Sequence, residues 1–116
     1  MERIYLIDSL SKVQIVKNLP RIKLINLSEK ILEEKFNDGE SIVKEGEEGN
    51  KFYIIKNGKV EILIGGKYIR TLNESEYFGE RVLFFHEKRS ATIKAIGEIC
   101  LFSISQDDFE NIIEKI

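Results

Sequence analysis

The sequence is poor in the residues that disulfides, metal centres and membrane spans require. One cysteine in 116 residues excludes an internal disulfide, and with a single histidine beside it the chain has too few ligands to predict a zinc site. No apolar run approaches the roughly 18–20 residues of a membrane span, and the N-terminus has no signal-peptide pattern. We therefore expect a cytoplasmic protein with no metal and no membrane contact.

An excess of positive charge is also missing. The 18 basic and 20 acidic side chains give a formal net charge of −2, and the basic residues do not cluster. Proteins that bind nucleic acid are more often basic, with Lys and Arg gathered on one face, so we expect no nucleic-acid partner. A length of 116 residues allows one domain with a single core.

Apolar residues with roughly helical spacing occupy the N-terminal part of the chain. Pro20 suits an early helix position, and the apolar side chains after it line one side of a helix that is predicted to end near Glu34. Residues 1–34 are therefore predicted to form N-terminal helices.

From Lys35 the pattern changes to short β-rich runs separated by turn signals. Asn57-Gly58 is the strongest hairpin signal, and Gly65-Gly66 predicts a second tight hairpin. About eight short strands over residues 35–104 predict a mainly β fold, an eight-stranded jelly-roll barrel with flanking helices.

The last segment of the chain predicts a helix over residues 105–116. Ser105 with Asp108 three residues later resembles a capping box, with aspartate in place of the usual glutamate. The whole chain, residues 1–116, is thus predicted to be a single domain of helices, barrel and C-terminal helix.

The stretch Tyr77–Ala95 combines residue types that suit a small anion attached to a sugar. Gly79 lets a ligand approach the backbone, and the run beginning at Glu80 can start a short helix whose N–H groups attract phosphate. Arg89 offers a planar donor fork for phosphate oxygens. Ionised Glu80 only accepts hydrogen bonds, so it suits a ribose hydroxyl. One segment thus supplies a cation for a phosphodiester and an acceptor for a sugar.

This stretch resembles the phosphate-binding cassette of cyclic-nucleotide-binding domains, whose pattern is F-G-E-x-A-L, a short loop and R-[AST]-A-[TNS]-[VI]. The residues that match in kind and spacing are Phe78, Gly79, Glu80, Leu83, Arg89, Ser90, Ala91, Thr92 and Ile93. Val82 stands where the family usually has alanine. The resemblance implies a cupin-like barrel, a cassette over residues 78–92 with a short helix, and cGMP or cAMP as a regulatory ligand. The ligand-binding residues it implies are Arg70, Phe78, Gly79, Glu80, Arg81, Val82, Arg89, Ser90 and Ala91.

Two residues bear on which base is bound. In the family, a hydroxyl residue directly after the cassette arginine is typical of cGMP sites, and Ser90 stands there. Arg70 lies in a strand that resembles that of cGMP-selective kinase sites, whose arginine donates to guanine O6 and N7, a pair of acceptors that adenine lacks. The alternative for Arg70 is an exposed strand arginine. Together the two residues favour cGMP.

Arg81 makes the cassette similar to one in cGMP-dependent kinases of apicomplexan parasites. There the equivalent arginine joins a cap with residues from a helix after the domain, so the resemblance implies partners and a lid beyond Ile116. Gln106 and Asp107 lie too early to be those partners and are predicted to form the first turn of the final helix. A solvated helix residue is the alternative for Arg81.

The resemblance implies a non-catalytic sensor module of a cGMP-dependent serine/threonine kinase, in which the ligand relieves inhibition. The implied partners are neighbouring cyclic-nucleotide-binding domains and a kinase domain, because these residues contain no G-x-G-x-x-G, H-R-D or D-F-G motif. A regulatory domain of a cAMP-dependent kinase is the closest alternative. A cupin-like metal enzyme is a further alternative, which the single histidine opposes. A transcription factor is another, which the charge balance opposes. A cassette that binds nothing is the last, and the intact Glu80 and Arg89 oppose it.

Overall fold

The structure, a computed structural model, describes residues 18–83, 85 and 87–114. The helices predicted over residues 1–17 lie outside this range. The elements in chain order are α1 (Arg21–Lys30), β1 (Leu32–Phe36), β2 (Ser41–Val43), β3 (Lys51–Ile64), β4 (Lys67–Leu72), β5 (Tyr77–Phe78), a 3₁₀ helix (Glu80–Leu83), β6 (Thr92–Ser105) and α2 (Gln106–Glu114).

The strands form one antiparallel sheet of six strands in the described residues. Its path is β1-β6-β3-β4, with β2 also paired to β6 and β5 also paired to β3. Strands β3 and β6 are 14 residues long and pair with each other from Lys51 opposite Ser105 to Leu63 opposite Thr92. The expectation of a mainly β fold with flanking helices is therefore confirmed.

The prediction of eight strands does not fit the described residues, and the hairpin predicted at Asn57-Gly58 is wrong. The chain continues through Asn57-Gly58 as one strand, with register shifts against β6 on both sides of Asn57. Gly58 has a φ of 97°, and Gly97 on the facing strand has a φ of 72°. An Asn-Gly pair permits the positive φ of a bulge as readily as that of a tight turn, so each long strand bends without ending.

The end predicted for the first helix is also wrong. Helix α1 ends at Lys30, and Leu32–Phe36 pair instead with Ser103–Ile99 of β6. Leu32 fits the helical spacing but is 62% exposed, because it lies on an edge strand rather than on a buried helix face. Hydrogen bonding to a long neighbouring strand overrides the local periodicity here.

Two other local predictions are confirmed. Gly65 and Gly66 join β3 to β4 with φ values of 58° and 79°, the positive values of a two-residue hairpin turn. The Ser105 hydroxyl accepts a hydrogen bond from the Asp108 N–H at 3.1 Å and so caps α2.

Both faces of β3 are buried, because the sheet carries apolar partners on each side. Phe52 and Ile54 pack in one cluster with the helices, whereas Tyr53 and Ile55 point to the opposite face. The second cluster adds residues from β2, β4, β5 and β6, and its members include Val43, Leu72, Phe78, Ile93 and Leu101. The sheet therefore separates a helical layer from the face that carries the cassette residue Phe78.

The 3₁₀ helix belongs to the helical layer. Val82 and Leu83 are buried in the same cluster as Leu24 of α1 and Phe109 of α2. A movement of the 3₁₀ helix would therefore disturb the packing of both α-helices, since interiors are close-packed.

Candidate ligand-binding site

A cavity of about 580 Å³ lies beside the cassette, within the size range of small-molecule sites. The structure brings every residue of the predicted site to this cavity: Arg70, Phe78, Gly79, Glu80, Arg81, Val82, Arg89, Ser90 and Ala91. Sequence reasoning missed the other lining residues, which are Val43, Ile62, Ile64, Leu72, Ser75, Glu76, Tyr77, Glu87, Lys88 and Ile93.

The missed apolar residues form a wall that the strand pattern could have indicated. Ile62 and Ile64 alternate on β3, which predicts one apolar face. Ile64 is 45% exposed, so that face is not fully covered by protein. A flat, apolar part of a ligand is the kind of group that such a wall accepts.

Arg89 is held in place by backbone hydrogen bonds to the loop before β3. Its N–H donates to the Glu47 carbonyl at 2.7 Å, and its own carbonyl accepts from the Gly46 N–H at 2.8 Å. The side chain turns inward, where Nη2 donates to the Lys51 carbonyl at 2.8 Å. Burial lowers the pKa of the Arg89 guanidinium, and the nearby Tyr53 opposes that shift.

The Arg89 guanidinium forms no ion pair with a carboxylate among the residues that the structure describes. A half-buried cation held only by a neutral carbonyl has lost hydration without gaining a counter-ion. The physical consequence is a position that favours an anion, and Glu80, the first residue of the 3₁₀ helix, lines the same cavity.

Two glycines make room for Arg89. A Cβ built on Gly49 would lie 2.1 Å from Arg89 Nε, and one built on Gly79 would lie 2.6 Å from Nη1. Gly79 also has a φ of 80°, which L side chains rarely adopt. The guanidinium therefore occupies the space that side chains at these positions would fill.

Arg70 and Ser90 line the cavity from separate elements. Arg70 lies on the edge strand β4 opposite Ile62, and both Arg70 and Ser90 are exposed. Their side chains are thus accessible to a ligand in the cavity.

Arg81 forms an ion pair with another residue of the described chain, whereas the partners that the family resemblance implies for it lie beyond Ile116. Its Nε and Nη2 donate to Glu87 Oε2 and Oε1 at 3.0 and 2.8 Å. The Arg81 guanidinium holds the pKa of Glu87 below its ordinary value, chiefly by hydrogen bonding to the charged form. The alternative interpretation of Arg81 as a solvated helix residue is also incomplete, because the pairing with Glu87 holds its side chain.

Ser75 lies at the cavity with a φ of 75°, the one positive value of a non-glycine residue among those that the structure describes. Its N–H donates to the Ile55 carbonyl at 2.8 Å, which holds the turn between β4 and β5 in this conformation. A left-handed conformation costs a residue with a Cβ roughly 1–2 kcal/mol.

We expect Ser75→Gly to raise the free energy of unfolding by about 0.5–1 kcal/mol, because relief of strain exceeds the added entropy of the unfolded chain. Urea denaturation monitored by circular dichroism measures this change. The matched control is Glu74→Gly in the same turn, at a residue without a positive φ, which should lose stability. Equal losses in both variants would contradict the interpretation of Ser75 as strained.

The described part of the chain has no group of three or more His, Cys, Asp or Glu side chains that could hold a metal ion. None of its helices combines the length and apolar character needed to cross a membrane.

The fold and the cavity together define an antiparallel β module with flanking helices, whose cavity is lined by a partly buried arginine and a glutamate. A family model, the cyclic nucleotide-binding domain, matches residues 33–116. This chain therefore belongs to the cyclic nucleotide-binding domain family.

The relatives include cGMP-dependent protein kinases and a regulatory subunit of a cAMP-dependent protein kinase. The chain is 47% identical over 81 residues to the cGMP-dependent protein kinase of Eimeria tenella, covering 69% of this chain and 8% of that protein. It is 36% identical over 107 residues to the cGMP-dependent protein kinase of Toxoplasma gondii, covering 92% and 11%. It is 28% identical over 114 residues to the cAMP-dependent protein kinase type II regulatory subunit of Drosophila melanogaster, covering 98% and 30%. The chain thus spans a third or less of each relative.

A solved structure shares the fold. The chain matches cAMP-bound PfPKA-R with a TM-score of 0.81 and 32% identity, over 97% of this chain and 40% of that one.

Proposed function

We propose that this chain binds a cyclic nucleotide, preferentially cGMP, as the regulatory sensor module of a cGMP-dependent protein kinase. The observation that carries the proposal is the half-buried Arg89 guanidinium, which has no carboxylate partner in the described residues and faces the same cavity as Glu80. A cyclic phosphodiester supplies the missing anion, and the attached ribose supplies a hydroxyl for Glu80 to accept from.

The glycine and small residues of the cassette complete the phosphate side. Gly79 lets the ring phosphate approach the backbone beside Arg89, and Ser90 and Ala91 leave the cavity open next to it. The apolar Ile62 and Ile64 offer a surface for the base.

The preference for cGMP rests on Arg70 and Ser90. An arginine fork matches the adjacent acceptors O6 and N7 of guanine, whereas adenine presents a donor at its 6-position. The identity of 47% to a cGMP-dependent protein kinase supports this choice. The alternative is a cAMP-binding regulatory domain of a cAMP-dependent protein kinase, which the matches to the Drosophila regulatory subunit and to PfPKA-R support.

Titration calorimetry with cGMP and cAMP tests the proposal, and Arg70→Ala tests its basis. We expect wild type to prefer cGMP and Arg70→Ala to lose about 1–3 kcal/mol of cGMP binding, roughly 5- to 150-fold, with little change for cAMP. The matched control is Lys67→Ala, an exposed cation on the same strand that does not line the cavity. Tighter binding of cAMP by wild type would favour the alternative function.

Regulation would follow from the shared packing of the 3₁₀ helix and the α-helices. A ligand that draws the cassette inward would move Val82 and Leu83, which share a buried cluster with residues of α1 and α2. The coupling requires that the ligand bind the two helix arrangements with different affinity. In the full protein, this movement would relieve inhibition of a kinase domain through neighbouring cyclic-nucleotide-binding domains.

A further inference from the structure

The Arg81 guanidinium contacts both Phe85 and Glu87, and we name these three side chains the clasp. The Arg81 guanidinium meets the Glu87 carboxylate through two hydrogen bonds of 3.0 and 2.8 Å. On its other side the guanidinium carbon lies 4.9 Å from the centre of the Phe85 ring. The Phe85 N–H also donates to the Arg81 carbonyl at 2.9 Å.

The clasp is too exposed to matter for the stability of the whole fold. The side chains of Arg81 and Glu87 are 65% and 46% exposed, and ion pairs in water contribute little. Its effect is local, because it joins Arg81 of the 3₁₀ helix to Glu87, six positions along the chain. Arg89, whose position decides whether an anion can be held, lies two residues beyond Glu87.

Arg81 and Glu87 also line the cavity itself. The ion pair therefore fixes one rim of the cavity as well as the loop that leads to Arg89. A bidentate pair of this geometry restrains both side chains more strongly than a single contact does.

We propose that Glu87 is a positioning residue of the nucleotide site, which acts by holding Arg81 and thereby ordering the loop before Arg89. The inference rests on the proposed function, since it concerns the affinity of that same cavity. Glu87 itself contributes no contact to the ligand in this scheme. The ion pair is the part of the clasp that this scheme needs, so exchanging the two charges should serve nearly as well even though the contact of the Arg81 guanidinium with the Phe85 ring is lost.

Calorimetric titration of cGMP into four variants tests the inference: Glu87→Gln, Arg81→Gln, the double variant carrying both changes, and the charge exchange Arg81→Glu with Glu87→Arg. We expect each single change to weaken binding about 3- to 10-fold, the double change to cost no more than either, and the charge exchange to recover affinity to within about twofold of wild type. The control Glu29→Gln makes the same charge change on an exposed residue of α1, outside the cavity, and should leave the affinity unchanged.

Amide hydrogen exchange tests the ordering role of Glu87 in the absence of any ligand. The Phe85 and Arg89 amides, which donate to the Arg81 and Glu47 carbonyls, should exchange faster in Glu87→Gln than in wild type or Glu29→Gln. Unchanged exchange would overturn the ordering role.

The binding results separate the possible failures. If wild type binds cGMP but Glu87→Gln binds it equally well, the inference is wrong and the proposed function stands. If Arg81→Gln loses affinity that the charge exchange does not recover, Arg81 acts on the ligand alone and Glu87 is not its positioning residue. If wild type binds neither cGMP nor cAMP, the proposed function fails and this inference fails with it.

Discussion

Arg89→Ala is expected to weaken cyclic-nucleotide binding by tens- to thousands-fold, the largest loss of any single substitution in the cavity. Removing one partner of a buried, hydrogen-bonded charge pair typically costs ~2–5 kcal/mol, and each ~1.4 kcal/mol is tenfold in affinity. The guanidinium is partly desolvated and has no carboxylate partner in the described residues, so the ligand phosphate would be its counter-ion.

Calorimetric titration with cGMP measures this loss, and three comparisons make it specific. Arg89→Lys keeps the charge but loses the planar fork, so its affinity should fall between those of wild type and Arg89→Ala. Arg21→Ala removes an exposed arginine of α1 outside the cavity and should bind like wild type. Unliganded Arg89→Ala should unfold within about 1 kcal/mol of wild type, because only the hydrogen bond to the Lys51 carbonyl is lost. Unchanged affinity in Arg89→Ala would remove the phosphate-binding assignment.

The cassette was the most predictable part of the molecule, because its residues lie in one short segment. Gly79, Glu80 and Arg89 are separated by few residues, so a glycine, a short helix and a loop are enough to bring them to one cavity. The family pattern fixed which residues to expect there. Their roles toward a nucleotide remain predictions that the titrations above test.

The parts of the fold that were predicted wrongly depend on long-range pairing. Asn57-Gly58 has the local chemistry of a hairpin, yet the chain continues because β6 offers a partner on both sides of the bend. Ile31 and Leu32 continue the apolar spacing of α1, yet β6 also extends far enough to pair with Leu32–Phe36. A local pattern cannot reveal the length of a strand that lies far along the chain.

Two features of the site were hidden for the same reason. Nothing in the local sequence distinguishes Glu87, and only the structure places its carboxylate against Arg81. Gly49 has no positive φ, and what it provides is space for a side chain forty residues later. Close packing between distant segments is the information that a single sequence does not carry.

Gly49→Ala is therefore expected to impair binding almost as much as loss of the arginine itself, by at least tenfold. The three atoms nearest to the new Cβ all belong to the Arg89 side chain, and the nearest of them, Nε, would lie 2.1 Å from it. Because Gly49 has no positive φ, alanine fits the backbone, and the flexible guanidinium has to move instead. Displacement would break the hydrogen bond to the Lys51 carbonyl and turn the donor fork away from the phosphate.

A double-mutant cycle with titration calorimetry identifies that mechanism. If Gly49 acts through Arg89, then adding Gly49→Ala to Arg89→Ala should cost no further affinity, and the two effects should be strongly non-additive. The control Gly97→Ala lies outside the cavity, with a φ of 72° and no atom within 4 Å of the new Cβ, so it should lower stability through backbone strain while the folded protein keeps its affinity. Additive losses in the double variant would mean that Gly49 serves the ligand or the loop directly, rather than by leaving room for the arginine.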